Sequence, residues 1–176
     1  MRDSELGDEL ARRKEASEQA VTAYVRNPCR GQREVTDRVL WSNAAWLRQV
    51  LAAHGWPGVS MVGERGSRCA SLIAQLAEDD LELQRQCLVA LQRAVADGDA
   101  SARDLAYLTD RLRAAQGLPQ IYGTKFLADS GGRLEPYPID DPENVDLRRA
   151  ALGLSSLAQY ASDLRRQYAE IDRQLS

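Results

Sequence analysis

The strongest constraint on this fold is an apolar pattern of helical period that stops and restarts through five successive segments before residue 118. The first, Glu5 to about Arg26, is strongly charged and sparse in apolar residues. It reads as a solvated helix docking through Val21, Tyr24 and Val25, ended by Asn27-Pro28-Cys29-Arg30-Gly31. The second, about Val35 to His54, carries Leu40, Ala44, Leu47 and Leu51 on one face and halts at Gly55-Trp56-Pro57-Gly58. A third from about Glu64 to Ala77 turns Cys69, Leu72, Ile73 and Leu76 inward. A fourth from about Leu81 to Ala96 does so with Leu88, Leu91 and Val95 and ends at Asp97-Gly98-Asp99. Ser101-Ala102-Arg103-Asp104 has the S-x-x-D spacing that satisfies the first free amides of a fifth helix, which holds Leu105, Leu108 and Leu112 inward and ends near Gly117-Leu118-Pro119.

After that point the pattern changes. Gln120 to Leu127 and Arg133 to Tyr137 read as a hairpin or a pair of extended strands around Asp129-Ser130-Gly131-Gly132. Asp141-Pro142-Glu143 starts a short helix with Asp as cap and Pro in the first turn. A last helix from about Ser156 places Leu157, Tyr160, Leu164, Tyr168, Ile171 and Leu175 on one stripe. The expected architecture is mainly α, a single-domain helical bundle of about six or seven helices with a small β-hairpin insertion. Within one globular unit, residues 1–30 form the charged N-terminal helix and residues 31–176 the remaining helical domain.

Composition narrows the function classes. A net charge of −3 lacks the basic footprint of a nucleic-acid binder, so no nucleic-acid partner is expected. Lys14 and Lys125 are the only lysines; the excess of Arg and Ala reads as the codon bias of a high-GC bacterium. Cys29, Cys69 and Cys87 are odd in number and widely spaced, which points to a reducing cytoplasm. Cys69 and Cys87 lie on apolar faces, where a thiol behaves as a small hydrophobe. The opening Met1-Arg2-Asp3-Ser4-Glu5 is no signal peptide, and no segment approaches the roughly 20 apolar residues of a membrane span. No His/Cys/carboxylate spacing points to a metal, no Gly-rich strand-to-helix loop to a nucleotide and no G-x-S-x-G elbow to a hydrolase, so no cofactor is expected.

Polar and special-backbone residues are densest from Asp110 to Arg149, which makes that stretch the candidate site. Asp110-Arg111 is either an anion-binding arginine with its orienting carboxylate or a pair of structural ions; adjacent helical positions point about 100° apart, so both cannot face one ligand squarely. In an extended segment Tyr122 and Thr124 share one face and Gly123 and Lys125 the other. Lys125 offers a point charge or a desolvated nucleophile, against the plainer reading of a solvated hairpin lysine. Glu64 is either a favourable charge near a helix start or a carboxylate that orients Arg111 or Arg149 for an anion. His54, the one histidine, fits a helix C-terminus better than catalysis. Trp41, Trp46 and Trp56 fit core or pocket wall.

The series Asn43…Leu47, His54-Gly55-Trp56-Pro57, Val62-Gly63-Glu64, Leu105-Ala106-Tyr107-Leu108-Thr109-Asp110-Arg111 and Gln120-Ile121-Tyr122-Gly123-Thr124 resembles a large bacterial family of domains of unknown function, the domain of unknown function 6624 type. Pro138-Ile139-Asp140-Asp141-Pro142-Glu143-Asn144-Val145-Asp146, Arg148-Arg149, Gly153-Leu154 and Leu157-Ala158-Gln159-Tyr160 extend the likeness, which runs in order from about Asp37 to Tyr160. The resemblance implies a helical protein with a polar pocket and supplies no mechanism. It also marks two departures: Leu76 stands where the family pattern has histidine, and Lys125 where it has Gln. Loss of the histidine removes the commonest general acid or base, unless that residue served only structure.

Two functional expectations result. In the first, the chain binds or transforms, without a metal, a small anionic metabolite bearing a carboxylate or phosphate, as in specialised metabolism. Its pocket lies between the third and fifth helices and the Tyr122–Lys125 segment. Tyr122, Lys125 and Asp110 are the catalytic candidates, and Glu64, Arg111, Gln120, Thr124 and Arg149 the ligand contacts. Asp110→Ala and Tyr122→Phe are then expected to abolish binding and leave the melting temperature unchanged. The alternative is a non-catalytic interaction module, in which the first helix or the Tyr160/Tyr168 helix binds another protein or forms a homodimer.

Overall fold

A computed structural model describes residues 3–128 and 133–175, apart from the side chains of residues 171, 172, 174 and 175. The fold is a mainly helical single domain with seven α-helices and a small two-stranded hairpin among the described residues. Two compact units are distinct within it, Met1–Leu108 and Thr109–Ser176.

The first unit is built from α1 (Ser4–Arg26), α2 (Arg30–His54), α3 (Val59–Leu76), α4 (Leu81–Ala96) and the start of α5 (Ala102–Ala115); α3 is broken at Gly63 (φ 75°), so its long part starts at Glu64 as the sequence suggests. Leu47, Val50, Trp56, Ala70, Ile73, Leu83, Cys87 and Leu91 close its core. Each fully buried Leu there contributes roughly 1.5–3 kcal/mol through removal from water. The α4 limits agree with the sequence expectation, and α2 begins five residues before the expected start at Val35.

Of the residues expected to dock α1, Val21 and Tyr24 are partly buried and Val25 is not. Val25 is 60% exposed, and the buried residues of α1 are Leu10, Ser17 and Ala20. Leu6, Leu10 and Ala11 pack against the core, and hydrogen bonds hold α1 further along. Asn43 Nδ2 donates to Arg13 O and Ser17 Oγ, Arg13 donates back to Asn43 Oδ1, and Thr36 Oγ1 donates to Ala20 O. Glycines bring α1 and α3 into close contact: a Cβ on Gly66 would lie 2.7 Å from Val62 Cβ and 3.4 Å from Gly7 Cα. The tryptophans also divide. Trp56 joins the core, Trp46 is partly covered by the Arg13 guanidinium at 4.5 Å, and Trp41 is 62% exposed.

The second unit holds the rest of α5, the hairpin β1 (Phe126–Ala128) and β2 (Leu134–Pro136), a single 3₁₀ turn at Pro142–Asn144, α6 (Val145–Ala151) and α7 (Leu157–Leu175). The strands pair antiparallel, with Leu127 opposite Glu135. The expected turn at Asp129-Ser130-Gly131-Gly132 lies outside the described residues. Gln120–Lys125 is not an extended strand: Gly123 has φ +67°, and the segment carries a parallel bridge from Gln120 to Ile139 and a hydrogen bond from Tyr137 N to Lys125 O. Pro142 opens its turn as expected, but Asp141 makes no side-chain cap and itself sits at φ 46°.

Candidate functional site

The polar residues of the second unit converge on the Gln120–Lys125 loop. A loop without strand partners must find partners for its N–H and C=O groups elsewhere, and here buried side chains supply them. Asp110, fully buried on α5, accepts from Ile121 N at 2.7 Å, Tyr122 N at 3.0 Å, Thr124 N at 2.9 Å and Thr124 Oγ1 at 2.9 Å. Gln120, also fully buried, uses both ends of its amide: Nε2 donates to Lys125 O and Tyr137 O, and Oε1 accepts from Lys125 N.

Every carbonyl from Gln120 to Lys125 is engaged. Asp140 N takes Gln120 O, Arg148 Nε takes Ile121 O and Arg149 Nη1 takes Tyr122 O at 2.6 Å and, more weakly, Gly123 O at 3.4 Å. The Tyr160 hydroxyl donates to Thr124 O, and Tyr137 N to Lys125 O. Arg149 is 2% exposed, stacks over the Tyr160 ring at 5.0 Å and donates through Nε to Ser155 O. Gly123 is required at its place, because a Cβ would meet Leu157 Cδ1 at 2.7 Å and Ile139 Cδ1 at 3.1 Å. The structure thus brings together Asp110, Gln120, Thr124 and Arg149 as a clamp on backbone. Tyr122 is partly buried beside them, and among the described residues its hydroxyl has no hydrogen-bond partner. Lys125 and Arg111 are partly buried in the same unit.

Glu64 is placed in the first unit, on α3, in a cleft of about 360 Å³. The cleft is lined from α3 by Val59, Glu64, Ser67 and Arg68, from the α4–α5 connection by Ala100 and Ser101, and from α5 by Arg103 and Asp104. Asp99 holds one wall in place. Its carboxylate accepts from Ser60 N at 2.6 Å and Ser60 Oγ at 2.9 Å, and its carbonyl from Val59 N at 2.8 Å, so from 39 residues away it caps the first turn of α3, ahead of the break at Gly63. Gly58 makes room for it, since a Cβ there would lie 2.0 Å from Asp99 Oδ2.

The charges of this cleft are arranged unlike those of the clamp. Glu64 and Arg68 stand four apart on α3, the spacing and order that favour an ion pair, yet among the described residues neither makes a hydrogen bond or ion pair. Asp104 likewise makes none through its carboxylate. Burial pushes the Asp104 carboxyl above its ordinary range, and the nearby Arg68 and Arg103 offset this only in part. Arg103 is held against Tyr107, with its guanidinium 5.6 Å from the ring centre. Sequence reasoning passed over Asp104 because the S-x-x-D pattern already explained it; a third residue pointing to the site was Arg68, one helical turn after Glu64.

The other candidates have plainer places. His54 is exposed in the last turn of α2, and Leu76 is partly buried at the end of α3. Cys69 and Cys87 are buried, and burial pushes the Cys87 thiol up to about 12, out of reach of a thiolate role. Among the described residues no three His, Cys, Asp or Glu side chains form a metal-binding group, and no helix is long and apolar enough to cross a membrane.

Fold and sites together describe a mainly helical protein with a hydrogen-bonded loop clamp and a separate charged cleft. The chain matches the model of the Family of unknown function (DUF6624) over residues 10–171 and belongs to that family. No curated protein and no solved structure matches it.

Proposed function

We propose that this protein binds a small metabolite carrying a carboxylate or phosphate in the α3–α5 cleft, as a binder or as an acid–base enzyme. The observation that supports this most is the set of charged side chains there, Glu64, Arg68 and Asp104, that face one opening without ion pairs among the described residues. Glu64 and Arg68 are exposed and Asp104 is half-buried, so a ligand entering the cleft would meet two accessible charges of opposite sign beside a partly desolvated carboxyl. Arg68 and Arg103 would receive the anion, since guanidinium binds carboxylate and phosphate through two parallel N–H groups. Asp104, whose burial favours the protonated form, would be the proton donor or acceptor. The clamp residues Asp110, Gln120, Thr124 and Arg149 would act through the shape of their loop, their hydrogen-bonding groups being engaged by backbone.

Native mass spectrometry of protein gently purified from the cells that make it tests this reading. A discrete bound mass is expected, and its loss from the Arg68→Ala variant. Protein that remains bare, and stays bare after incubation with a metabolite extract of those cells, would contradict it.

A second reading, an interaction module, draws on α7. Tyr160 is tied to the clamp and stacks edge-on to Phe126 at 5.7 Å, but Tyr168, two turns on, is 51% exposed. Light scattering at rising concentration tests it: a dimer disrupted by Tyr168→Glu supports it, and a monomer throughout contradicts self-association.

A further inference from the structure

The size of the α3–α5 cleft and the signs of its charges together narrow the chemistry of its ligand. At about 360 Å³ the cleft lies at the small end of ligand pockets, which suits a single metabolite unit rather than a nucleotide or a chain. Each wall presents one acid and one base. From α3 come Glu64 and Arg68, one helical turn apart; from the first turn of α5 come Asp104 and Arg103. The four formal charges cancel.

That balance discriminates among ligands. A phosphate ester entering to meet the guanidinium groups would bring its multiple negative charge against two carboxylates. A diamine would meet the converse repulsion from two guanidinium groups. A ligand with one charge of each sign, a short distance apart, meets a partner for both.

Resting on the proposed binding role of this cleft, we infer that its ligand is a zwitterion: an α-amino acid, or a small derivative that keeps a free ammonium and a free carboxylate. The carboxylate lies against Arg68 and Arg103, and the ammonium against Asp104 and Glu64.

Saturation-transfer NMR on the full chain tests this with the twenty common amino acids as probes. Each binder is compared with its des-amino acid, its decarboxylated amine and inorganic phosphate. The inference expects at least one amino acid to bind, both truncated forms to lose about tenfold or more in affinity, and Asp104→Asn to weaken the amino acid but not the des-amino acid. If des-amino acids or phosphate bind as tightly as the amino acids or tighter, the zwitterion assignment fails while the cleft remains an anion site. If no probe binds, the zwitterion assignment and the binding role of the cleft fail together.

Discussion

The loop clamp of the second unit and the charged cleft of the first are both dense in polar side chains, and they differ in what those side chains touch. In the clamp, one carboxylate accepts from three backbone amides and a hydroxyl, and six consecutive carbonyls each have a donor. In the cleft, Glu64, Arg68 and Asp104 line one opening and, among the described residues, hydrogen-bond to nothing through their side chains. Polar density alone therefore does not locate a site. A buried polar group with every partner in place is architecture, whereas the exposed Glu64 and Arg68 and the half-buried Asp104 are accessible to a ligand.

The comparison breaks most visibly at Asp110. Asp110→Ala strands three amides and a buried hydroxyl, and removal of one side of a buried charged network costs about 3–5 kcal/mol. A large fall in the urea midpoint is the expected outcome, so the sequence-based expectation of an unchanged melting temperature is reversed for this residue. Gly123→Ala comes next. It forces a left-handed alanine, at about 1–2 kcal/mol, and drives its methyl towards Leu157 and Ile139, at about 1–3 kcal/mol more. Thermal melting measures the sum, which shrinks if those two side-chain ends move aside.

Asp80→Ala sets a middle value in the first unit. Asp80 caps α4 through Leu83 N at 3.0 Å and pairs with Arg48, and loss of such a cap costs about 1 kcal/mol. Burial raises its carboxyl, but the Leu83 amide and Arg48 outweigh burial and hold it below the ordinary range. Its contribution is therefore present above the unfolded carboxyl range, near about pH 4, and lost as the pH falls through the lower folded value. The gap between wild type and variant in pH-dependent melts is expected to close on acidification. Arg68→Ala is the smallest change: an exposed, unpaired arginine leaves stability within about 0.5 kcal/mol, while any ligand affinity of the cleft collapses.

Much of the fold was legible because α2 to α5 carry their apolar residues at helical spacing, and α2, α4 and α5 end at glycine or aspartate. The mode of docking of α1 was not, because Leu6, Leu10 and Ala11 make only a short apolar face and the rest depends on small residues and on hydrogen bonds such as Asn43 to Ser17. The Gln120–Lys125 segment was expected to be extended, since its residues suit a strand. Asp110, ten residues earlier in sequence, draws its amides inward, and Gly123 supplies the left-handed turn that this needs. Of the candidate residues, the motif pointed to Asp110, Gln120, Thr124 and Arg149 because they are polar and close together, and they are close together to hold one loop. Asp104 was hidden by its fit to a helix-start pattern. Asp99 was hidden because a cap contributed from 39 residues away has no local signature.

The most direct test exchanges one carboxylate for an amide in each region, as Asp110→Asn and Asp104→Asn, followed by urea denaturation near about pH 7. At Asp110 the amide replaces a carboxylate oxygen with a donor that faces other donors, so stability should fall. At Asp104 the raised folded carboxyl means that ionisation opposes folding above its ordinary range. The amide should therefore raise stability at neutral pH, and the gain should vanish as the pH falls below that range. Opposite signs are the predicted result. A loss at both positions, or no loss at Asp110, would contradict the division between a structural clamp and an available cleft.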